Sequence, residues 1–278
     1  MQLAQDSTVA QCTGVRVSAV PFAIDLDGVL WLGGEPLPGA VEAIGLLRQS
    51  GEAIAFVTNH SQHRRGDIAQ RLAGIGVDAG NDVISSAMAV SALVARGERV
   101  FPFAGPGVIE ALEASEVEVL PDGNGADAVV VGRHEDLSWE RLTSAARAVR
   151  SGARFIATNL DPSYPTARGV EPGTGAIVAA VEVAAGRPVD AVAGKPHEAI
   201  ASIVRAHLGD SGWVIGDMPS TDGALATQLG WGFSLVVSAA TPRLDRSGDR
   251  EPDLTSGSLL EAVTALLGGE RLLEGPAH

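Results

Sequence analysis

The chain has 278 residues, 45% of them hydrophobic, which is enough for one large or two medium domains with a sizeable core. Its formal net charge of -14 argues against nucleic-acid binding, because that function needs a basic surface. No apolar run reaches the length of a membrane span, and the single cysteine, Cys12, excludes an intrachain disulfide. We expect a cytoplasmic protein whose polar residues 1–20 form a flexible leader without the features of a secretory signal.

Two carboxylates follow the first predicted strand. Residues 22–24 are apolar and typical of a buried strand end, and Asp25 and Asp27 come directly after it. Residues i and i+2 of an extended chain point to the same side, so the two carboxylates lie together, and Gly28 permits a tight turn. Such a pair is costly to bury unless a cation neutralises it, and a hard divalent ion suits oxygen ligands. A simple turn, in which Asp and Gly are common, is the alternative.

The next elements indicate a parallel sheet. Helical spacing over residues 39–49 is followed by an apolar strand over 54–57, which ends at Thr58 and Asn59, and then by a helix over 67–73. Alternating strands and helices predict an α/β fold with helices on both faces of the sheet. Ligands of such sheets bind beyond the carboxyl ends of the strands, where Asp25 and Thr58 both fall.

A second α/β unit of about a hundred residues begins near Ser85. We predict its helices at 87–95, 108–114, 139–151 and 173–185, and its strands at 100–103, 128–131 and 155–157. Ser138 is the expected N-cap of the third helix, with Arg141 pointing outward. Asn159 and Asp161 follow the last of these strands.

The last third of the chain returns to the first pattern. Lys195 precedes Pro196, which we expect in the first turn of a helix over 198–208. A strand over 213–217 ends at Asp217, and Asp222 lies in the loop that follows it. A strand at 235–237, a polar loop at 243–253 and a helix at 258–267 complete the chain.

The order of these strand-end motifs resembles the haloacid dehalogenase (HAD) superfamily, and most closely its NagD and p-nitrophenylphosphatase-like branch. The motifs are Asp25-Leu26-Asp27-Gly28-Val29-Leu30-Trp31, Val57-Thr58-Asn59, Gly194-Lys195-Pro196, and Gly216-Asp217-Met218-Pro219-Ser220-Thr221-Asp222. The segments Thr158-Asn159-Leu160-Asp161-Pro162 and Pro172-Gly173-Thr174-Gly175-Ala176 resemble the branch's cap. The resemblance covers residues 20–267 and implies a Rossmann-like parallel-sheet core over 21–85 and 189–278 with an α/β cap inserted at 86–188.

The resemblance also implies a chemistry, which is Mg²⁺-dependent hydrolysis of a small phosphomonoester. Asp25 would attack phosphorus and Asp27 would act as general acid and base. The resemblance places Mg²⁺ on Asp25, Asp217 and the backbone carbonyl of Asp27, with Asp222 holding a metal-bound water.

The remaining implied roles concern the phosphate and the substrate. Thr58, the backbone of Asn59 and the Lys195 side chain would bind the phosphate group, with Lys195 also pairing with Asp25. In the cap, Asn159 and Asp161 would contact the substrate. Phosphoglycolate, glycerol phosphate, sugar phosphates and aryl phosphates all fit this description, and a homodimer through the cap is compatible with it.

Each of these residues could also have a purely structural role. Thr58 could be a helix N-cap, Lys195 a surface lysine, Asp217 and Asp222 loop carboxylates, and Asn159 part of an Asx turn. Trp31 is expected to contribute only packing. His60, at a position where the branch often has asparagine, and His63 are expected in a solvated helix start, and Arg168 could meet a second negative charge or be a surface residue.

Three other functions remain open at this point. The same site could transfer a phosphoryl group to an acceptor other than water, or a phosphate-binding protein could keep the pocket without turnover. An acid/base residue such as Asp27 argues against pure binding. A receiver-type signalling module also uses Asp, Thr, Lys and Mg²⁺, but the cap-length insertion argues against it.

Overall fold

The computed structural model describes residues 20–166, 169–237 and 250–273. Within these ranges the strands are β1 (Phe22–Ile24), β2 (Trp31–Leu32), β3 (Glu35–Pro36), β4 (Ile54–Thr58), β5 (Val83–Ser85), β6 (Arg99–Phe103), β7 (Glu118–Val119), β8 (Ala128–Val131), β9 (Arg154–Ala157), β10 (Ser163–Thr166), β11 (Gly169–Pro172), β12 (Ala191–Val192), β13 (Trp213–Gly216), β14 (Gly232–Val236) and β15 (Leu254–Ser256). The α-helices are α1 (Ala40–Gln49), α2 (Arg65–Gly74), α3 (Ser86–Ala89), α4 (Pro106–Ala114), α5 (Trp139–Arg150), α6 (Thr174–Ala185), α7 (Glu198–Leu208), α8 (Ala224–Leu229) and α9 (Leu259–Leu273).

The first sheet has six parallel strands in the order β15-β14-β13-β1-β4-β5. β1 lies between β13 and β4, so the ends of these three strands are neighbours at the carboxyl edge. Because β1 and β4 are buried along their whole length, they carry continuous apolar runs instead of alternating residues.

The second sheet has five parallel strands in the order β12-β9-β8-β6-β7. Two short antiparallel pairs, β2–β3 and β10–β11, lie outside both large sheets. The α/β fold class predicted from the sequence is confirmed, with a parallel-sheet core and an additional sheet-containing unit. The division at residues 86 and 188 stays a prediction, and β12, which we expected in the core, pairs with β9.

Three apolar clusters hold these layers together. One packs around Phe22, Phe56 and Val263 on one side of the first sheet, and another around Phe155 and Val181 in the second unit. The third is continuous between the two units, because it joins Ala55 and Ile200 to Val108 and Val130. The second unit is therefore packed directly against the first.

Several local predictions differ from the structure. The helix expected over 87–95 ends at Ala89 and continues only as a short 3-10 turn. Ser138 caps α5 as predicted, but the Arg141 guanidinium does not point outward, because it turns back to donate to the Pro102 carbonyl oxygen at 2.7 Å. Pro196 lies before α7 and outside its first turn, because the helix begins only at Glu198.

Some predictions cannot be compared with the structure. Residues 1–19 of the expected leader, including Cys12, lie outside the described residues, as does Arg168. Most of the polar loop expected over 243–253 also lies outside them. The described part of that segment leads into β15, a strand that the sequence did not predict.

Candidate active site

The predicted site residues meet at the carboxyl edge of the first sheet. Asp25 follows β1, Thr58 ends β4 and Asp217 follows β13. They line one cavity of about 250 Å³ together with the other predicted site residues Asp27, Asn59, Asn159, Asp161 and Lys195. Asp222 is fully buried and touches this group through Lys195.

Lys195 is the electrostatic centre of the site and not a surface lysine. Its ammonium nitrogen lies 2.8 Å from Asp25 Oδ1 and 2.7 Å from Asp222 Oδ1, and the residue is only 4% exposed. Burial lowers the pKa of the ammonium, but the charges of Asp222 and Asp25 outweigh burial and raise the pKa above its ordinary value. Lys195 therefore stays protonated and supplies a fixed positive charge beside Asp25.

Glycine is required where the acidic loops cross. Gly28 has a φ of 85°, and a Cβ atom at this position would collide with the Asp217 carboxylate. A Cβ atom at Gly216 would likewise collide with the side chain of Asp222. The two glycines therefore let the β1 and β13 loops approach closely enough to bring their carboxylates together.

Three carboxylates could hold a cation. Asp25, Asp217 and Asp222 each offer an oxygen, and these oxygens lie within 4.8 Å of one another. Burial raises the pKa of Asp25 well above its ordinary value, and burial with the charge of Asp222 raises the pKa of Asp217 to about 7. One lysine cannot neutralise three buried carboxylates, so the donor set fits a hard divalent ion such as Mg²⁺.

The side chain of Asp27 lies outside this carboxylate group. Its Oδ1 accepts hydrogen bonds from Trp31 Nε1 and from the Tyr164 hydroxyl, both at 3.0 Å. Burial raises the pKa of Asp27 although both hydrogen bonds oppose this effect. No pattern in the sequence paired Tyr164 with Asp27, and the hydrogen bond from Trp31 shows that this side chain does more than pack.

Thr58 and Asn59 differ in the number of hydrogen bonds that their side chains make within the protein. Thr58 Oγ1 accepts from the His60 backbone N–H at 3.0 Å, and α2 begins only at Arg65, so Thr58 is not its N-cap. Asn59 Nδ2 donates to Asp161 at 3.0 Å, while its Oδ1 accepts from the Lys195 backbone N–H at 2.8 Å. Asn59 thus fixes the lysine loop and a residue of the second unit at once.

The residues from the second unit form a turn at the cavity wall. Asn159 Nδ2 donates to the Asn59 carbonyl oxygen at 2.7 Å, and its Oδ1 accepts from the Asp161 N–H at 3.1 Å. The second contact is the Asx turn that the sequence left open. Burial raises the pKa of Asp161, whose carboxylate faces the cavity beside Asn59.

Two further cavity residues were not recognised from the sequence. His60 packs between His63 and Tyr164, with ring centroids 4.7 and 5.6 Å away, and burial lowers its pKa to about 3. The prediction of a solvated His60 is wrong, and neither ring nitrogen has a protein partner among the described residues. Arg133 lies 4.3 Å from the Tyr164 ring centroid and pairs with Glu171 at 2.7 Å.

Comparison with known proteins agrees with this geometry. The haloacid dehalogenase-like hydrolase family matches residues 22–118. An acid sugar phosphatase of Staphylococcus saprophyticus is 38% identical over 184 residues, which cover 64% of this chain and 70% of that protein. The chain belongs to the haloacid dehalogenase-like hydrolases.

Solved structures of this family extend the match over most of the chain. A p-nitrophenyl phosphatase from Archaeoglobus fulgidus aligns with a TM-score of 0.80 at 32% identity, over 89% of this chain and 99% of that one. A glycerol phosphate phosphatase from Mycobacterium tuberculosis, solved in complex with magnesium, aligns with a TM-score of 0.78 at 30% identity, over 87% and 76%. The resemblance to the NagD-like branch is confirmed, and the chain is a phosphoric monoester hydrolase.

None of the described helices has both the length and the apolar character that crossing a membrane requires.

Proposed function

We propose that this phosphatase hydrolyses phosphomonoesters of small sugars or polyols with Mg²⁺, through a phosphorylated Asp25. The observation that carries the proposal is the buried Asp25–Lys195 pair beside Asp217 and Asp222, at the floor of a cavity of about 250 Å³. The cavity is small, and polar side chains of Asp161 and His60 face it, which suits a hydroxylated substrate. The similarity to an acid sugar phosphatase supports the same class.

Asp25 is the proposed nucleophile. Its Oδ1 accepts hydrogen bonds from the Leu26 N–H and pairs with Lys195, both at 2.8 Å, so the carboxylate is held in one orientation. A carboxylate oxygen of Asp25 forms a bond to phosphorus while the bond from phosphorus to the ester oxygen breaks. Water then cleaves the aspartyl phosphate and regenerates the Asp25 carboxylate.

Asp27 is the proposed acid and base. It gives its proton to the leaving ester oxygen in the first step and takes a proton from the attacking water in the second. Burial raises the pKa of Asp27, which favours the protonated form of this carboxyl group more than in an exposed aspartate. Burial raises the pKa of Asp25 as well, but the charge of Lys195 opposes this shift and favours the carboxylate form that attacks phosphorus.

The metal would be held by Asp25, Asp217 and the backbone carbonyl of Asp27, with Asp222 in contact through water. When bound, Mg²⁺ neutralises negative charge on the phosphate and on the carboxylates around it. Thr58 and Lys195 face the same cavity and are proposed to hold phosphate oxygens, as is the backbone of Asn59. Asn159 and Asp161 are proposed to contact the rest of the substrate.

A phosphate-release assay tests the proposal. The purified chain should release phosphate from sugar phosphates and glycerol phosphate when Mg²⁺ is present and lose this activity in a chelator, and Asp25→Asn should be inactive. A matched control is Asp210→Asn, which changes an exposed aspartate before β13, at the opposite end of that strand from Asp217. Phosphate binding without release from any substrate would show a binding protein instead. Consumption of the substrate that requires an added alcohol, and that yields the phosphate ester of this alcohol in place of inorganic phosphate, would show phosphoryl transfer to that acceptor.

We also propose a cellular location and an oligomeric state for this enzyme. The enzyme acts in the cytoplasm, where its single cysteine suits a reducing environment. It forms a homodimer through the cap, where Trp139 and Leu137 are 82% and 56% exposed. Cell fractionation tests the first aspect. Analytical ultracentrifugation of Trp139→Ser beside Val183→Ser, which changes an exposed valine on α6, tests the second.

A further inference from the structure

Asp27 receives its two side-chain hydrogen bonds on a single oxygen. Trp31 Nε1 and the Tyr164 hydroxyl both donate to Oδ1 at 3.0 Å. Trp31 belongs to the same loop as Asp27, whereas Tyr164 lies 137 residues away on β10. One donor is therefore local and permanent, and the other depends on where the β10–β11 hairpin sits.

We propose that Tyr164 is a positioning residue for proton transfer by Asp27. A carboxyl oxygen that already accepts two hydrogen bonds is a poor place for a proton, so the transferable proton is directed to Oδ2. Fixing Oδ1 also fixes the rotation of the carboxyl group and hence the direction in which Oδ2 faces. The inference rests on the proposed acid and base role of Asp27 and adds a residue of the hairpin to it.

The surroundings of Tyr164 support this role. The Arg133 guanidinium lies 4.3 Å from the ring centroid, and Arg133 Nη2 pairs with Glu171 of β11 at 2.7 Å. A cation above a phenol ring is attracted to its face and makes its hydroxyl a stronger donor. The Arg133 backbone N–H also donates to Ser61 Oγ at 3.1 Å. This hydrogen bond fixes Arg133, and with it the cation above the Tyr164 ring, to the loop that follows β4.

The arrangement couples leaving-group protonation to the position of the hairpin. When the hairpin is docked, Asp27 has both donors and a defined orientation. Without the Tyr164 hydroxyl, Asp27 would keep only the Trp31 donor, and its carboxyl group could rotate. The alignment of Asp27 for proton transfer therefore needs one donor from each unit.

Substrates that differ only in their need for a proton provide the test. Phenyl phosphate has a poorer leaving group than p-nitrophenyl phosphate and nearly the same shape. Tyr164→Phe should lower kcat for phenyl phosphate about tenfold, as expected for one lost hydrogen bond to a charged group, and leave p-nitrophenyl phosphate within about twofold. KM should change little for either substrate.

A double-mutant cycle separates this inference from the proposed function. Asp27→Asn alone should slow phenyl phosphate more than p-nitrophenyl phosphate, and adding Tyr164→Phe should then cause no further selective loss. If Asp27→Asn shows no such selectivity, the acid and base assignment fails first. If Asp27→Asn behaves as expected while Tyr164→Phe slows both substrates equally or changes only KM, Tyr164 is structural or occludes the site, and the inference is overturned.

Two controls address the hairpin itself. Thr166→Val removes a hydroxyl that donates to the Gly169 carbonyl oxygen across the hairpin, so it should loosen the hairpin without selectivity between the two substrates. Tyr164 is the only tyrosine of the chain, so 3-fluorotyrosine gives one fluorine resonance. That resonance should move with Asp27→Ala and not with the surface change Asp210→Ala, and an equal response to both would contradict the contact.

Discussion

The two units contribute different kinds of groups to the cavity they share. The first sheet supplies the carboxylates of Asp25 and Asp217 at the ends of β1 and β13. Lys195, on the segment between β12 and α7, is buried against Asp25. The second unit supplies orientation through a turn at Asn159 and a hairpin at Tyr164, held by hydrogen bonds to the first. In the proposed mechanism, bond cleavage therefore takes place at the sheet, whereas alignment and discrimination depend on contacts between the units.

The largest expected loss of turnover follows from a change to the buried charged residues of the first sheet. Asp25→Asn should reduce turnover by on the order of ten-thousand-fold or more, because it removes the attacking group while leaving binding in place. Steady-state phosphate release with matched circular dichroism spectra measures this change. Release within tenfold of the unchanged enzyme would contradict the assignment.

Asp27→Asn tests the residue at which the two units meet. The loss should be roughly a hundred- to ten-thousand-fold for substrates with poor leaving groups, which is the range of general acid and base catalysis. It should be smaller for p-nitrophenyl phosphate, because its leaving group needs no proton. An equal loss for all substrates would leave Asp27 with a purely structural role and would weaken the contrast between the two units.

Magnesium affinity should depend on pH through the carboxylates that follow the strands of the first sheet. The pKa of Asp217 is raised to about 7 in the metal-free protein, so a proton competes with the ion as the pH falls. Affinity should therefore be about tenfold weaker at pH 6 than at pH 8 for one such competing proton. Isothermal titration calorimetry measures it, and a flat affinity over this range would show that the carboxylates are already ionised.

A change in the second unit should alter selectivity more than rate. Asp161→Ala should change the ratio of kcat/KM between a sugar phosphate and p-nitrophenyl phosphate by about tenfold, since a polar group left unpaired costs about 1–3 kcal/mol. Asp161→Asn keeps the shape and reports on the charge. Asp122→Ala, an exposed aspartate of the same unit, is the matched control and should leave the ratio unchanged.

The smallest effect concerns stability at the cavity wall. Burial lowers the pKa of His60 to about 3, so the unfolded chain binds a proton below pH 6.5 that the folded chain does not. Stability should therefore fall with decreasing pH, and His60 should account for about 1 kcal/mol of this loss at pH 6. Urea unfolding of His60→Asn beside the unchanged protein, both in chelator, measures the difference between pH 8 and pH 6. Parallel pH profiles would show that His60 becomes protonated while the protein is folded.

The catalytic edge of the first sheet was predictable from the sequence for a physical reason. Apolar runs followed by Asp25, Thr58 and Asp217 mark strand ends, and parallel strands place all their carboxyl ends on one side of a sheet. Lys195 required the resemblance as well, because a lysine before a proline has no local signature of burial. The pattern and the topology together therefore located the charged half of the site.

The contacts between the units were not predictable in the same way. Tyr164 and Asp27 are 137 residues apart, and no local pattern pairs them. β10 and β11 contain prolines and largely exposed residues, so they lack the apolar alternation that indicates a strand. His60 was misjudged because its polar neighbours in the sequence suggested solvent, whereas in the structure its ring packs near His63 and near Tyr164 of the second unit.

The apolar cluster that joins the two units limits how this protein can be engineered by removal or exchange of a unit. Val108 and Val130 pack in one cluster with Ala55 and Ile200. Removal of the inserted unit would therefore expose an apolar surface on the remaining sheet. A transplant of this unit from another phosphatase would need a complementary apolar face as well as the turn at Asn159. Substrate preference should therefore be easiest to alter at the cavity-facing residues Asn159 and Asp161, with the packed face of the unit left unchanged.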